Sequence, residues 1–129
     1  MYLQHVSIPR PPGQESRRQA QAFFSGLLGL EEKPVPQSIQ HLDLIWFQVG
    51  KMELHCFAEE PVGDSSGRHF CLVTDDVEAT RQKLEAAGYK PWNPEEIPGR
   101  PRFFCRDPFG NIIEFTTITA DYLALEESN

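Results

Sequence analysis

At 129 residues the chain has room for one compact domain, or for two cores only if each is very small. Its 40% hydrophobic and 24% charged residues are globular values that exclude wholesale disorder. Its 12 Lys and Arg against 19 Asp and Glu give a formal net charge of −7, which argues against a nucleic-acid footprint. No apolar run approaches the roughly 18–20 residues that span a bilayer. The N-terminus carries no basic segment followed by an apolar one, so no membrane association and a cytoplasmic location are expected.

The first run, Leu3 to Ile8, alternates as a strand and is expected to stop at Pro9, because proline cannot donate to a ladder. Ala20, Phe23, Phe24, Leu27 and Leu28 then recur at helical spacing, and Gly29 supplies a stop. A segment broken by Pro34 and Pro36 follows. Leu42 to Val49 and Met52 to Phe57 read as strands joined by a tight turn at Gly50-Lys51. Residues 59–67 form a polar loop. Arg68 to Thr74 is a further strand, after which Asp75 or Asp76 caps a helix carrying Val77, Leu84 and Ala87 inward to a stop at Gly88. Tyr89 to Trp92 reads as a short strand. Arg102 to Arg106 and Asn111 to Thr117 form a hairpin around Asp107-Pro108-Phe109-Gly110, and residues 120–129 form a short helix or a tail.

The order is strand, helix, three strands, twice over. Gly29 and Gly88 are 59 residues apart, and His5 and His69 are 64 apart. The pattern therefore predicts two modules, about 1–60 and 67–118, with a tail over 119–129. Each sheet keeps a face that one helix cannot bury, so the modules must pair within the chain or between two chains.

Three cysteines, Cys56, Cys71 and Cys105, lie in apolar runs without C-x-x-C spacing and read as small buried residues in a reducing compartment. Three of the four histidines, His5, His55 and His69, fall inside strands, whereas His41 lies in a polar lead-in. Glu114 interrupts an apolar strand. Ile113, Phe115 and Thr117 would face the core, leaving Ile112, Glu114 and Thr116 to line water or a cavity. Two imidazoles and one carboxylate are a recognised donor set for a divalent metal with open positions.

His5 in the first strand, Arg68-His69-Phe70-Cys71-Leu72-Val73, the Leu-Gly-Leu helix close and the ending Asp107-Pro108-Phe109-Gly110-Asn111-Ile112-Ile113-Glu114-Phe115 together resemble the vicinal oxygen chelate superfamily. This is the group of glyoxalase I, bleomycin resistance proteins and extradiol dioxygenases. The resemblance runs from about Tyr2 to Thr117. It implies an α+β fold of paired βαβββ modules whose mixed sheets curl into a glyoxalase-like cup around a metal. By this resemblance His5, His69 and Glu114 map onto metal ligands. The fourth ligand falls on Glu53 by comparison with glyoxalase I and methylmalonyl-CoA epimerase, with His55 on the same face as the other candidate. The glycine offset fits His55 rather than Glu53, so the repeat leaves that choice open.

The implied cofactor is a divalent ion, with Fe, Ni, Mn, Co and Zn not distinguished by sequence. The implied activity is that of a metal-dependent glyoxalase-like enzyme, a lyase or isomerase. Its small-molecule substrate would carry vicinal oxygens, and an enolate would be stabilised by the metal as Lewis acid. Glu114 and Glu53 are expected to move the proton, with His55 as an acid/base or supporting group. Arg102 is the candidate for gripping a substrate carboxylate or phosphate, and Trp46 and Phe57 for lining an apolar pocket. The alternatives are an Fe(II) extradiol-type dioxygenase and a metal-free drug-binding resistance protein. Pro9-Arg10-Pro11-Pro12-Gly13 departs from the short acidic turn of glyoxalase I, and no glutathione-binding residues are evident. The superfamily habit implies a homodimer.

Overall fold

The structure, a computed structural model, describes residues 1–63 and 66–127. Asp64 and Ser65, in the expected polar loop, and Ser128 and Asn129, at the end of the expected tail, lie outside the described residues. The chain divides into two units, Met1–Ser65 with Pro108–Asn111, and Ser66–Asp107 with Ile112–Asn129.

Proline does not end the first strand of the first unit. β1 (His5–Arg10) pairs in parallel with β4 (Met52–Ala58), His5 opposite Glu53 and Pro9 opposite Phe57. The Glu53 N–H donates to the Gln4 carbonyl at 3.0 Å. The ladder therefore uses the main-chain groups of even-numbered β1 residues, and Pro9, in the other phase, loses nothing by lacking an N–H. β3 (Ile45–Val49) pairs antiparallel with β4 through the expected turn. β2 (Glu31–Lys33) adds outside β3 and was not expected from the sequence, giving the order β1-β4-β3-β2. The helical apolar spacing becomes α1 (Gln14–Ala20) and a π-helical continuation, Gln21–Leu27. Its wider turn, with the Leu28 N–H donating to the Phe23 carbonyl at 3.0 Å, buries both Phe23 and Phe24. Phe24 packs on Phe47 with ring centroids 5.4 Å apart.

Arg10 ends β1 as a wholly buried cation. Its guanidinium donates to Ser16 Oγ at 2.8 Å and to the Asp43 carbonyl at 3.0 Å, and pairs with the Asp43 carboxylate. That carboxylate also accepts from the Gly13 N–H at 2.9 Å. Burial raises the Asp43 pKa, but the hydrogen bonds from Arg10 and Gly13 and the charges of Arg10 and Arg17 outweigh it, holding the carboxyl below its usual range. One side chain thus ties together β1, the start of α1 and the lead-in to β3.

In the second unit β5 (His69–Val73) pairs in parallel with β7 (Ile112–Thr116), and β6 (Arg102–Arg106) pairs antiparallel with β7, in the order β5-β7-β6. α2 (Val77–Ala86) is capped by Asp76, whose side chain accepts from the Ala79 N–H at 3.0 Å. Its Leu84 is buried, but Ala87 is exposed rather than inward. The strand expected at Tyr89–Trp92 reduces to one bridge, Trp92 to Phe104, and Pro94, two residues on in the same ladder phase, has no N–H with which to extend it. Phe103, Cys105, Ile113 and Phe115 form the buried face, as the alternation of β7 requires. Cys56 and Cys105 are buried, whereas Cys71, on the exposed face of β5, is not. α3 (Tyr122–Glu127) ends the described chain. Among the described residues no helix is long and apolar enough to cross a membrane.

Gly99 adopts φ +78°, and a Cβ there would lie 2.5 Å from the Ala120 carbonyl oxygen. Gly99→Ala is expected to cost at least ~1–2 kcal/mol from the left-handed backbone alone, read as a fall in melting temperature; an unchanged melting curve would contradict this packing. Asp43→Asn is expected to destabilise by about 2 kcal/mol at neutral pH. Because the folded-state pKa is the depressed one, that deficit is full above the unfolded value of 3.8 and shrinks as pH falls through the folded value. Melting curves of both proteins across that range check the sign.

Candidate metal centre

His69 opens β5 and Glu114 sits in the middle of β7. The parallel register sets His69 opposite Ile112 and Cys71 opposite Glu114, so the imidazole and carboxylate meet diagonally on the face away from Phe115. His69 Nδ1–H donates to the Gly67 carbonyl at 2.7 Å. A carbonyl can only accept, so in the neutral ring Nε2 carries the lone pair, and it faces Glu114 Oε1 at 3.0 Å. Two acceptors this close call for a cation, a proton or a metal ion. A main-chain carbonyl on the far nitrogen is also how ligating imidazoles are oriented. Arg102 on β6 answers part of the charge, with Nη1 3.4 Å from Glu114 Oε2 and Nη2 donating to the Glu95 carbonyl at 2.9 Å. Burial, and then the Glu114 charge, push the Cys71 thiol up to about 11, so no thiolate nucleophile stands beside the pair at neutral pH.

The first unit brings His5, Glu53 and His55 together differently. His5 Nδ1–H donates to Gln4 Oε1 at 2.7 Å, leaving its Nε2 lone pair for another partner. Glu53 is surrounded: Lys33 Nζ lies 2.5 Å from Oε2 and His55 Nε2–H donates to Oε1 at 2.9 Å. The hydrogen bond from Lys33, followed by those from His55 and the Gln4 amide, pulls the Glu53 carboxyl down to about 2. The His55 ring lies between Trp46, centroid 3.8 Å away and 3° from parallel, and His5, 4.1 Å away and 20° from parallel. Burial lowers its pKa, against the pull of Glu53, and keeps it neutral at neutral pH.

Within the second unit His69 and Glu114, and within the first unit His5, are nitrogen and oxygen donors of the kinds that divalent ions take. Both carboxylates have a cation and an imidazole, but Glu53 is held more closely, with Lys33 Nζ at 2.5 Å where Arg102 stands 3.4 Å from Glu114. Among the described residues no three or more His, Cys, Asp or Glu side chains are gathered so as to hold an ion.

Of the expected substrate contacts, Arg102 borders a cavity of about 750 Å³ lined by residues 93–98 and 100–102. Trp46 covers His55, and Phe57 is half-buried opposite Pro9. Sequence reasoning missed Lys33. It lies in a short polar stretch, Glu31-Glu32-Lys33, without apolar alternation, and nothing there signals its reach to Glu53.

In metal-free protein the His69 Nδ1 is expected to carry a proton. Ring ¹⁵N chemical shifts test this, and a pyridine-type Nδ1 would contradict the contact with Gly67.

The sequence profile of the Glyoxalase/Bleomycin resistance protein/Dioxygenase superfamily matches residues 5–115. A putative glyoxalase family protein from Bacillus anthracis is similar in structure, at 28% identity and TM-score 0.81, over 92% of this chain and 95% of that one. Lactoylglutathione lyase from Agrobacterium tumefaciens shares the fold at 22% identity and TM-score 0.65, covering 90% and 92%. TnmS3, an antibiotic binding protein from Streptomyces sp. CB03234, shares it at 20% identity and TM-score 0.69, covering 92% and 96%. No curated protein matches the chain.

Proposed function

Because the chain belongs to the glyoxalase/bleomycin resistance protein/dioxygenase superfamily, we propose that it is a metal-dependent enzyme of the glyoxalase type. It acts on a small substrate with vicinal oxygens by lyase or isomerase chemistry, and His5, His69 and Glu114 supply the ligands. The observation that carries this reading is the His69–Glu114 contact, whose lone pair and carboxylate converge at 3.0 Å with the imidazole tautomer already set by Gly67. When bound, a divalent ion supplies Lewis-acid stabilisation to negative charge developing on substrate oxygen.

The chain's own residues do the rest. Glu114 takes and returns a proton at the carbon beside the substrate carbonyl. Arg102, between Glu114 and the 93–102 cavity, holds an anionic substituent of the substrate and fixes its orientation. His55, neutral and clamped between Trp46 and His5, keeps the His5 ring in place. The functional form is a homodimer, a state that sedimentation at micromolar concentration tests directly.

One observation favours a second reading, a metal-free binder of small molecules; TnmS3 is named an antibiotic binding protein. Lys33 and Arg102 give both candidate carboxylates a protein cation. Metal titration separates the two readings. Alanine at His5, His69 or Glu114 is expected to weaken divalent-ion binding by at least ~100-fold. Unchanged binding in all three variants would sink the enzyme reading, and binding of a drug-like ligand by metal-free protein would establish the second.

A further inference from the structure

The two sheets share one plan and one register. β1 sets His5 opposite Glu53 as β5 sets His69 opposite Ile112. The hairpins agree, because Trp46 opposes His55 as Phe104 opposes Glu114. Matched strand by strand, the residue of the first unit that stands where Glu114 stands in the second is His55, and Glu53 stands where Ile112 stands. The contacts follow this correspondence. His69 meets Glu114, and His5 meets the ring of His55, not the carboxylate of Glu53.

Glu53 is committed elsewhere. Its side chain is only 13% exposed, and it faces Lys33 and His55, one on each oxygen. β2 brings Lys33 to this place by pairing it with Trp46, and Gln48 Oε1 accepts from the same ammonium at 3.1 Å. A half-buried carboxylate needs a compensating charge, and Lys33 supplies it from within the chain. A divalent ion would compete with that ammonium and the His55 N–H for the same two oxygens.

We infer that Lys33 is the resident counter-ion of Glu53, and that Glu53 is a positioning residue for His55 rather than a metal ligand. This rests on the metal-dependent reading proposed above and sharpens it. A bound ion would then take its protein ligands from His5, His69 and Glu114 alone, and it would supply Lewis-acid chemistry to substrate oxygens. Lys33 keeps Glu53 from becoming a fourth ligand.

The test is calorimetric titration with Co²⁺ and Mn²⁺ of the full chain and of E53Q, E114Q, K33M, K33R and K33M/E53Q. E114Q is expected to lose at least ~100-fold in affinity, and E53Q no more than about fivefold. K33M is expected to bind about tenfold more tightly, because it frees a carboxylate next to His55 and the His5 ring stacked on it. Adding E53Q to K33M should abolish that gain, and K33R should match the wild type. The Co²⁺ absorption spectrum should be the same in wild type and E53Q and change in K33M. An E53Q loss as large as that of E114Q, or weaker binding by K33M, would overturn the inference.

If the wild-type chain binds neither ion, the metal-dependent reading fails, and the metal-free protein still decides this one. Melting temperatures of K33M, E53Q and the double variant should be non-additive if Lys33 is the counter-ion. Additive shifts would overturn it.

Discussion

Parallel neighbours in a sheet cannot be joined by a hairpin, so the chain between them must leave and return by a crossover. Both units are built on that constraint. In the first, α1, its π-helical continuation, β2 and β3 intervene between β1 and β4; in the second, α2 and β6 intervene between β5 and β7. The crossover carries sequence-distant residues side by side, His5 beside Glu53 and His69 beside Glu114. It also divides the faces. Phe24 of the π-helical turn packs against Phe47, while Phe103 and Phe115 stack at 5.0 Å on the buried face of the second sheet. The opposite faces carry the candidate ligands, with His5, Glu53 and His55 in the first sheet and His69 and Glu114 in the second.

Half-burying carboxylates on those faces creates an electrostatic demand that each unit meets with a cation from its own chain. Asp43 has Arg10, Glu53 has Lys33 and Glu114 has Arg102. The three pairs are not equal. Arg10 is wholly buried and bonded to several groups, so it functions as a structural tie. Lys33 sits 2.5 Å from Glu53, whereas Arg102 is 3.4 Å from Glu114 and shares its other nitrogen with the Glu95 carbonyl. Both carboxylates are equally hidden, at 13% exposure, and each faces an imidazole nitrogen, His55 at 2.9 Å and His69 at 3.0 Å. The second unit therefore carries the more loosely paired anion, and that is the physical ground for proposing an ion there.

Much of this was legible in the sequence. Strongly patterned segments such as Ile112 to Phe115, and turns with explicit chemistry such as Asp107-Pro108-Phe109-Gly110, announced β7 and its hairpin, and the histidines marked the other strands. The α+β class and the repeat followed from those. Less was legible where tertiary context overrode local pattern. Pro9 stays in β1 because of its ladder phase, which composition does not encode. Glu31-Glu32-Lys33 becomes a strand only because β3 offers an edge. The choice between Glu53 and His55 depended on the register of β4 against β1, which loop lengths conceal from any count along the chain.

The account turns on which side chains hold an ion. Crystals grown with Co²⁺ and measured at its absorption edge show the ion's position directly in an anomalous difference map. The expected result is one peak at roughly 2.0–2.2 Å from His5, His69 and Glu114 donor atoms, with Glu53 still on Lys33. A peak bonded to Glu53, or none beside His69 and Glu114, would contradict it.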